Sequence, residues 1–277
     1  MAPDTGERYA AAARLIGDAD AIIVCAGAGM GVDSGLPDFR GAEGFWRAYP
    51  ALGRAKIRFE EVASPATFRS DPALAWGFYG HRLALYRRTA PHAGFGLLKE
   101  IAARTPRGGF VFTSNVDGQF QRAGYADEQI VECHGSIHHL QCMDRCSDAI
   151  WNAEGYTPQI DAVQCRLTGD MPRCPECNAV ARPAILMFDD WEWSDRRTRV
   201  QFARYARWRE DVKQPVVIEV GAGRAIPTVR YFAESQHCPI IRINPTELEV
   251  PRRGDVGIPT GALEGIKGIR EQLERSW

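Results

Sequence analysis

The chain has 277 residues, 45% hydrophobic and 25% charged, with 27 glycines and 17 prolines, which excludes disorder, collagen and coiled coil. Against 35 Asp and Glu stand 34 Lys and Arg, a net charge of −1, so neither nucleic acid nor an anionic membrane is expected as a partner. One large domain carrying a smaller inserted module suits this length, and the sequence carries no signal for oligomeric state.

Met1 to Ile16 is Ala-rich and carries Glu7, Arg8 and Arg14, unlike the apolar run of a secretory leader, and Glu7–Gly17 reads as a helix. Ala21–Ala26 reads as a buried strand that runs into glycines. Residues 50–92 are rich in Phe, Trp, Tyr and Arg, lack a clear strand and read as a helical insert, followed by a helix over Ala93–Arg104. Phe110–Thr113 and Gln129–Cys133 are the second and third expected strands. Residues 140–182 hold five of the eight cysteines and little apolar periodicity, so this module needs a cross-link that a metal would supply. Ala184–Phe188 is the fourth expected strand, and the arginines from Arg196 to Arg209 form the solvated face of an amphipathic helix. Val216–Val220 and Pro239–Ile243 complete six strands, and Ala262–Leu273 is the closing helix.

Apolar runs of this length, bounded by Gly, Pro or Asn, predict an α/β fold: a doubly wound, Rossmann-like parallel sheet with its ligand crevice beyond the strand carboxyl ends. The main domain takes 1–49, 93–139 and 183–277, the helical insert 50–92 and the metal-binding module 140–182. No stretch approaches the roughly 18 apolar residues of a spanning helix. Cysteines without a leader imply thiols or metal ligands, and a cytoplasmic location is expected.

Candidate chemistry sits at strand ends. Gly27, Ala28 and Gly29 follow the first strand, where glycines let a backbone approach a pyrophosphate; alone, such a turn serves packing as readily. Leu36-Pro37-Asp38-Phe39-Arg40-Gly41 then packs an acid, an aromatic and an arginine into one loop, which a capped turn with a surface ion pair would also explain. Thr113-Ser114-Asn115-Val116-Asp117 ends the second strand; Asn115 and Asp117 face one way if extended, or begin a helix as Asx caps. His134-Gly135 ends the third, where an imidazole can act as general base. Cys142 and Cys146, then Cys174 and Cys177, have the pairing of a structural four-thiolate zinc site, with Cys165 as a competing ligand. Cys25, Cys133 and Cys238 lie in apolar contexts and read as small core residues.

Taken in order, these motifs resemble the sirtuin family of NAD-dependent protein deacylases over nearly the whole chain. The glycine loop with Leu36 to Gly41 resembles that family's GAG…GIPDFRG signature, Thr113 to Asp117 its TQNxD, and His134-Gly135 its catalytic His-Gly. Ile185 to Asp190 resembles its VVxFGE substrate strand, carrying Leu186 and Phe188, while Gly221-Ala222-Gly223 and Ile243-Asn244 take the places of its GTS and IN segments. Gly31, Ser114 and Asp189-Asp190 depart from the pattern, and the GTS hydroxyls are missing.

The resemblance implies NAD as cosubstrate, an acyl-lysine protein as substrate and structural zinc on the four cysteines. It implies the pyrophosphate on Gly27, Ala28, Gly29 and Arg40, with Ser114, Asn115 and Asp117 at the nicotinamide ribose and carboxamide. Leu36 and Asp38 would line the nicotinamide pocket, Phe39 would shield the reacting carbon, and Gly221, Ala222, Gly223 and Asn244 would complete the cofactor site. In the family reaction the acyl oxygen displaces nicotinamide, and the base, here His134, deprotonates a ribose hydroxyl. The products are nicotinamide, free lysine and O-acyl-ADP-ribose. Tyr79-x-x-Arg82 resembles the pair with which one sirtuin class recognises acidic acyl groups such as succinyl; Tyr79 packed on Trp76 with Arg82 in solvent is the plainer alternative. The departures leave two other readings open: ADP-ribosyl transfer or NAD hydrolysis, and a non-enzymatic NAD-binding module.

Overall fold

The computed structural model describes residues 4–37 and 41–276. Its strands are β1 (Ala21–Ala26), β2 (Gly109–Thr113), β3 (Ile130–Glu132), β4 (Gly135–Cys142), β5 (Ile150–Asn152), β6 (Ile160–Asp161), β7 (Arg166–Leu167), β8 (Ala181–Ile185), β9 (Pro215–Val220), β10 (Ile240–Ile243) and β11 (Val256–Ile258). Six of them form one sheet in the order β11-β10-β9-β1-β2-β3, every pair parallel. β1 and β9 are buried along their whole length because helices cover both faces, which is why they read as unbroken apolar runs.

One face packs Ile22, Val24, Val111 and Ile218 against helices Thr5–Gly17, Ala93–Ala103 and Ala262–Ser276. The other packs Ile23, Phe112 and Val217 against helices Arg196–Glu210 and Thr228–Ser235. The first helix starts at a reciprocal cap: Glu7 N donates to Asp4 Oδ1 at 2.8 Å and Asp4 N to Glu7 Oε2 at 3.3 Å. On the arginine-rich helix, Thr198, Gln201 and Tyr205 are buried.

The remaining strands build a smaller lobe. β5, β4 and β8 form an antiparallel sheet and β6 pairs with β7. Short helices and the long helix Pro72–Arg88 cover them, and one hydrophobic core joins Phe45, just before the insert, and Phe78 and Tyr79 of the insert to Ile137, Leu140 and Ile185 of the sheet. The insert and the cysteine module therefore share a core, and the expected limits at 139 and 183 fall inside β4 and β8.

Two strand expectations are corrected. Ala184–Phe188 is not in the parallel sheet: β8 starts at Ala181, pairs with β4, and ends at Ile185. Pro183 suits such an edge strand, since it lacks a ladder donor. Beyond it, Phe188 N turns to Ala63 O at 3.0 Å and Asp189 adopts φ 53°, so the chain bends away. The sixth parallel strand is instead Val256–Ile258, three residues with a central glycine and hence little apolar signal.

Two helix glycines should respond oppositely to alanine. A β-carbon on Gly77 would lie 2.0 Å from Cys165 O, where the helix presses on the β6–β7 hairpin. We expect Gly77→Ala to lower stability by about 1–3 kcal/mol. At Gly96 nothing lies within 4 Å of the added carbon, so Gly96→Ala should raise it by about 0.5–1 kcal/mol. Thermal melting of both variants checks the pair; equal signs would contradict it.

Candidate active site

After β1, β2 and β3 the main sheet grows outward on one side, and β9, β10 and β11 extend the other, so the order reverses between β1 and β9. Ligands of doubly wound sheets bind in the crevice this reversal opens. Here two glycine turns meet in it. Gly27 N donates to Val220 O and Gly29 N to Gly221 O, both at 3.0 Å. A β-carbon on Gly27 would lie 2.7 Å from Gly221 O, and one on Gly221, whose φ is 61°, would lie 2.4 Å from Gly29 C. The crevice floor is thus bare backbone, a fitting surface for a dinucleotide's pyrophosphate.

Side chains pin the first turn from behind. His92 accepts from Gly94 N on Nδ1 at 3.0 Å, so Nε2 carries the proton and donates to Met30 O at 2.8 Å. His92 N donates to Ser34 Oγ at 2.9 Å, and Asp33 Oδ2 accepts from Leu263 N at 2.8 Å, tying the turn to the closing helix. Leu36 is buried under Gly31, whose added β-carbon would lie 3.1 Å from Leu36 Cδ1. Asp38, Phe39 and Arg40 lie outside the described residues.

The end of β2 reaches the same turn. Thr113 Oγ1 donates to Ala26 O at 2.9 Å and accepts from Asn115 N at 3.0 Å; Asn115 Nδ2 then donates to Gly27 O at 3.0 Å. Beside Asn115, Ser114 is half-buried, and its N donates to Ala26 O at 3.2 Å. Asp117 behaves otherwise. Its Oδ1 accepts from Gln119 N at 2.9 Å in an Asx turn, and its carbonyl accepts from His138 Nε2 at 2.9 Å. Burial pushes the Asp117 carboxyl up to about 6, helped by nearby Glu132 and opposed by the Gln119 amide and Arg82. Asn115 and Asp117 thus share the loop but not one direction.

His134 follows β3. Burial lowers its pKa from the ordinary value, so the imidazole is neutral at pH 7, the form a general base requires. Its carbonyl accepts from Leu186 N at 2.9 Å, joining it to the segment after β8. Gly135 has φ 79° and would put a β-carbon 2.1 Å from Ala184 O, so only glycine admits this approach.

Across the crevice, Ala222 O accepts from Asn244 Nδ2 at 3.0 Å, while Asn244 Oδ1 accepts from Thr246 N and Glu247 N. Asn244 thereby secures the loop carrying Gly221, Ala222 and Gly223. On the other flank Leu186 is 38% exposed, and Phe188 meets Phe59 edge-on at 5.4 Å. Tyr79 is buried and stacks on Phe68 at 5.6 Å, not on Trp76. Arg82 is half-buried, not in solvent: Nε and Nη2 donate to Tyr86 Oη at 2.8 and 2.5 Å, and the guanidinium lies 5.2 Å over the Phe78 ring. Tyr79, Arg82 and Phe188 belong to one aromatic cluster running through Phe78 and Phe59. Asp190, whose side chain is fully buried, pairs with Arg182 at 2.5 Å and accepts from Met187 N at 3.2 Å.

Sequence reading missed His92, His138 and Arg230, the last of which donates to Ala222 O at 3.1 Å. Only His92 left a local trace, as the residue before a predicted helix. The carbonyls that His92 and His138 contact lie 62 and 21 residues away, and the one that Arg230 contacts lies eight residues away, across a loop whose path the sequence does not declare.

The four sulfurs of Cys142, Cys146, Cys174 and Cys177 lie within 4.8 Å of one another, with Cys142–Cys177 at 3.6 Å and Cys146–Cys174 at 3.5 Å. A tetrahedral zinc with about 2.3 Å bonds needs sulfurs about 3.8 Å apart, so the donor set fits that ion, and four ligands leave no open position. Cys165 is instead buried in the small-lobe core. We expect the purified protein to hold one zinc, retained in Cys165→Ser and lost or weakened in Cys146→Ser and in Cys177→Ser. Elemental analysis reads this directly, and loss of zinc from the Cys165 variant would contradict the assignment.

Comparisons with known proteins agree with this architecture. The family model described as the Sir2 family matches residues 27–204. An NAD-dependent protein deacylase of Aquifex aeolicus is 27% identical over 256 residues, 92% of this chain and 96% of that protein. The mitochondrial NAD-dependent protein deacylase sirtuin-5 of Danio rerio is 29% identical, over 80% of this chain and 73% of its own. Among solved structures, a Sir2 homologue bound to NAD superposes with TM-score 0.70 at 22% identity, covering 96% of this chain and 93% of that one. The chain belongs to the Sir2 family.

Proposed function

We propose that this chain removes acyl groups from protein lysines at the expense of NAD. The observation that carries the reading is the meeting of the Gly27–Gly29 and Gly221 turns, with Asn115 hydrogen-bonded to Gly27; His134 follows β3 of the same parallel sheet, and its carbonyl is tied to Leu186. The deacylase names of relatives aligned over nearly the whole chain support it.

NAD supplies nicotinamide as leaving group and the ribose hydroxyl that receives the acyl group. Gly27, Ala28 and Gly29 would hold its pyrophosphate on bare backbone, and Ser114, Asn115 and Asp117 would border the nicotinamide ribose. By the family resemblance Arg40 would join the pyrophosphate, Leu36 and Asp38 would line the nicotinamide pocket, and Phe39 would keep water from the reacting carbon. Gly221, Ala222 and Gly223, with Asn244 behind them, form the opposite wall. His134 takes the hydroxyl proton, and its burial keeps it ready to do so at neutral pH. Leu186 and Phe188 flank the entering acyl-lysine. The zinc cysteines brace the lobe away from the chemistry. Among the described residues no helix is long and apolar enough to cross a membrane; we place the protein in the cytoplasm, with neither nucleic acid nor membrane as partner.

Arg82 extends the reading to the acyl group. Arg82 lies on the Tyr79 helix within the aromatic cluster of Phe78 and Tyr86, and a guanidinium fork can take an acyl chain ending in a carboxylate bidentately. Succinyl- or malonyl-lysine peptides are therefore expected to be accepted alongside or ahead of acetyl ones. Arg82→Met should cut the succinyl-to-acetyl ratio of kcat/KM by about tenfold or more, the worth of one charge-assisted hydrogen bond. An unchanged ratio removes Arg82 from acyl recognition.

Product analysis with NAD and an acyl-lysine peptide tests the activity. Deacylated peptide with O-acyl-ADP-ribose is expected; nicotinamide release without peptide, ADP-ribosylated protein or binding alone would overturn the reading. His134→Ala should lower turnover by about 10²–10⁴-fold while NAD still binds. The pH profile follows from the lowered histidine pKa. The base is the neutral form, so activity falls on acidification through a pKa below the free value of about 6.5. The stability linked to this group runs the same way, present above about 6.5 and lost below it, because the unfolded chain binds the proton more readily. Asp117, near 6, titrates close by, and a limb that moves in Asp117→Asn would belong to Asp117 instead.

A further inference from the structure

The wall formed by Gly221–Gly223 has one side chain of its own to hold it, the Ala222 methyl, 2% exposed in the core beneath the sheet. Buried charged groups back it from behind. Glu219, two residues before Gly221 on β9, is 1% exposed and meets Arg242 of β10 in register, at 2.6 and 2.9 Å. Arg242 also reaches Glu234 at 3.0 Å and the carbonyl of Glu249. Arg230, 5% exposed on helix Thr228–Ser235, stands beside this network and contacts the loop directly. Its Nε and Nη2 donate to Ala222 O at 3.2 and 3.1 Å, and Nη2 donates to Glu247 O at 2.5 Å. Glu247 Oε2 lies 3.4 Å from that nitrogen and accepts from Arg224 N at 2.9 Å, closing a ring around residues 221–224.

A carbonyl with three donors on it is held in both height and tilt. Ala222 is directly joined to Gly221, whose own carbonyl accepts from Gly29 N at 3.0 Å. Glycines at these contacts leave no side chain to absorb a shift, so displacement of Ala222 is passed to the Gly27–Gly29 turn. We propose that Arg230 is the positioning residue of the dinucleotide site: through Ala222 it sets the spacing of the two glycine turns and hence the affinity for the ADP-ribose half of the cosubstrate. The assignment rests on the NAD reading above. Arg230 touches no reacting atom, so it acts on cosubstrate binding and not on the acyl step.

The test measures binding of NAD and of ADP-ribose by calorimetry, beside steady-state KM values. It uses wild type, Arg230→Met, Arg230→Lys and, as a control on the same helix, Tyr231→Ala, whose side chain is 68% exposed. Arg230→Met should weaken NAD and ADP-ribose in parallel by about tenfold or more, the scale of a lost charge-assisted hydrogen bond. The KM of the acyl peptide, and kcat at saturating NAD, should stay within about twofold, because uniform binding alone is removed. Arg230→Lys, with one donor group in place of a fork, should fall between, and Tyr231→Ala should match wild type. Unchanged ADP-ribose affinity in a folded Arg230 variant overturns the proposal, as does an equal loss for peptide and NAD. If Arg230→Met does not fold, Asn244→Ala, which removes the other donor on Ala222 O, must weaken ADP-ribose by a comparable factor or the proposal falls. Wild type that binds ADP-ribose but deacylates nothing refutes the proposed activity and leaves Arg230 to be judged by its own variants; wild type that binds neither nucleotide refutes both.

Discussion

The crevice depends on a contact between two stretches of bare backbone. β1 and β9 are neighbours with Ala26 opposite Val220, and each strand is followed at once by glycine. The two turns then meet so closely that a β-carbon on Gly27, Gly29 or Gly221 would sit at 2.7 Å or less from the opposing main chain. No side chain can be fitted there, so the depth of the crevice is a property of the sheet register. Asn115, Leu36 and Asn244 are arranged around a floor that the strands have already placed.

Ion pairs with a buried carboxylate lie beside each of the other segments that matter. Arg182 and Asp190 fix the bend after β8, Arg197 and Glu132 stand just before His134, and Arg242 and Glu219 just before Gly221. Such pairs contribute little net stability, because desolvation offsets most of the attraction, yet losing one partner is expensive. Their effect is on geometry. Each pair rejects alternative placements of a loop that would strand a charge in the core.

What could be read from the sequence was local. The apolar runs of β1, β2, β9 and β10, the glycine turn and the paired cysteines declare themselves within a few residues, and the structure bears out the α/β class. Val256–Ile258 is too short to register, and Ala184–Phe188 is apolar for a different reason: Ile185 and Met187 feed the small-lobe core, and Phe188 packs against that core from outside any strand. Asp117 shows the other limit. Its spacing from Asn115 suggested a shared direction, but the Asx turn to Gln119 claims its carboxylate. His92 and His138 act on carbonyls distant in the chain, and Arg230 on one eight residues back across an irregular loop, so no spacing rule reaches them.

The shared core of the small lobe has a consequence for synthesis on the ribosome. Its members run from Leu36 to Met187, so every residue it needs has been made before β9 begins at Pro215. The parallel sheet, in contrast, lacks the immediate neighbour of β1 until then and its outer strand until Ile258. As the chain emerges, the inserted segments complete their packing, and their cysteines come together, while the domain that hosts them is still half a sheet. The lobe that looks like an addition to the finished architecture is the part that can be finished first, leaving β1 with an open edge that only the last quarter of the chain can cover.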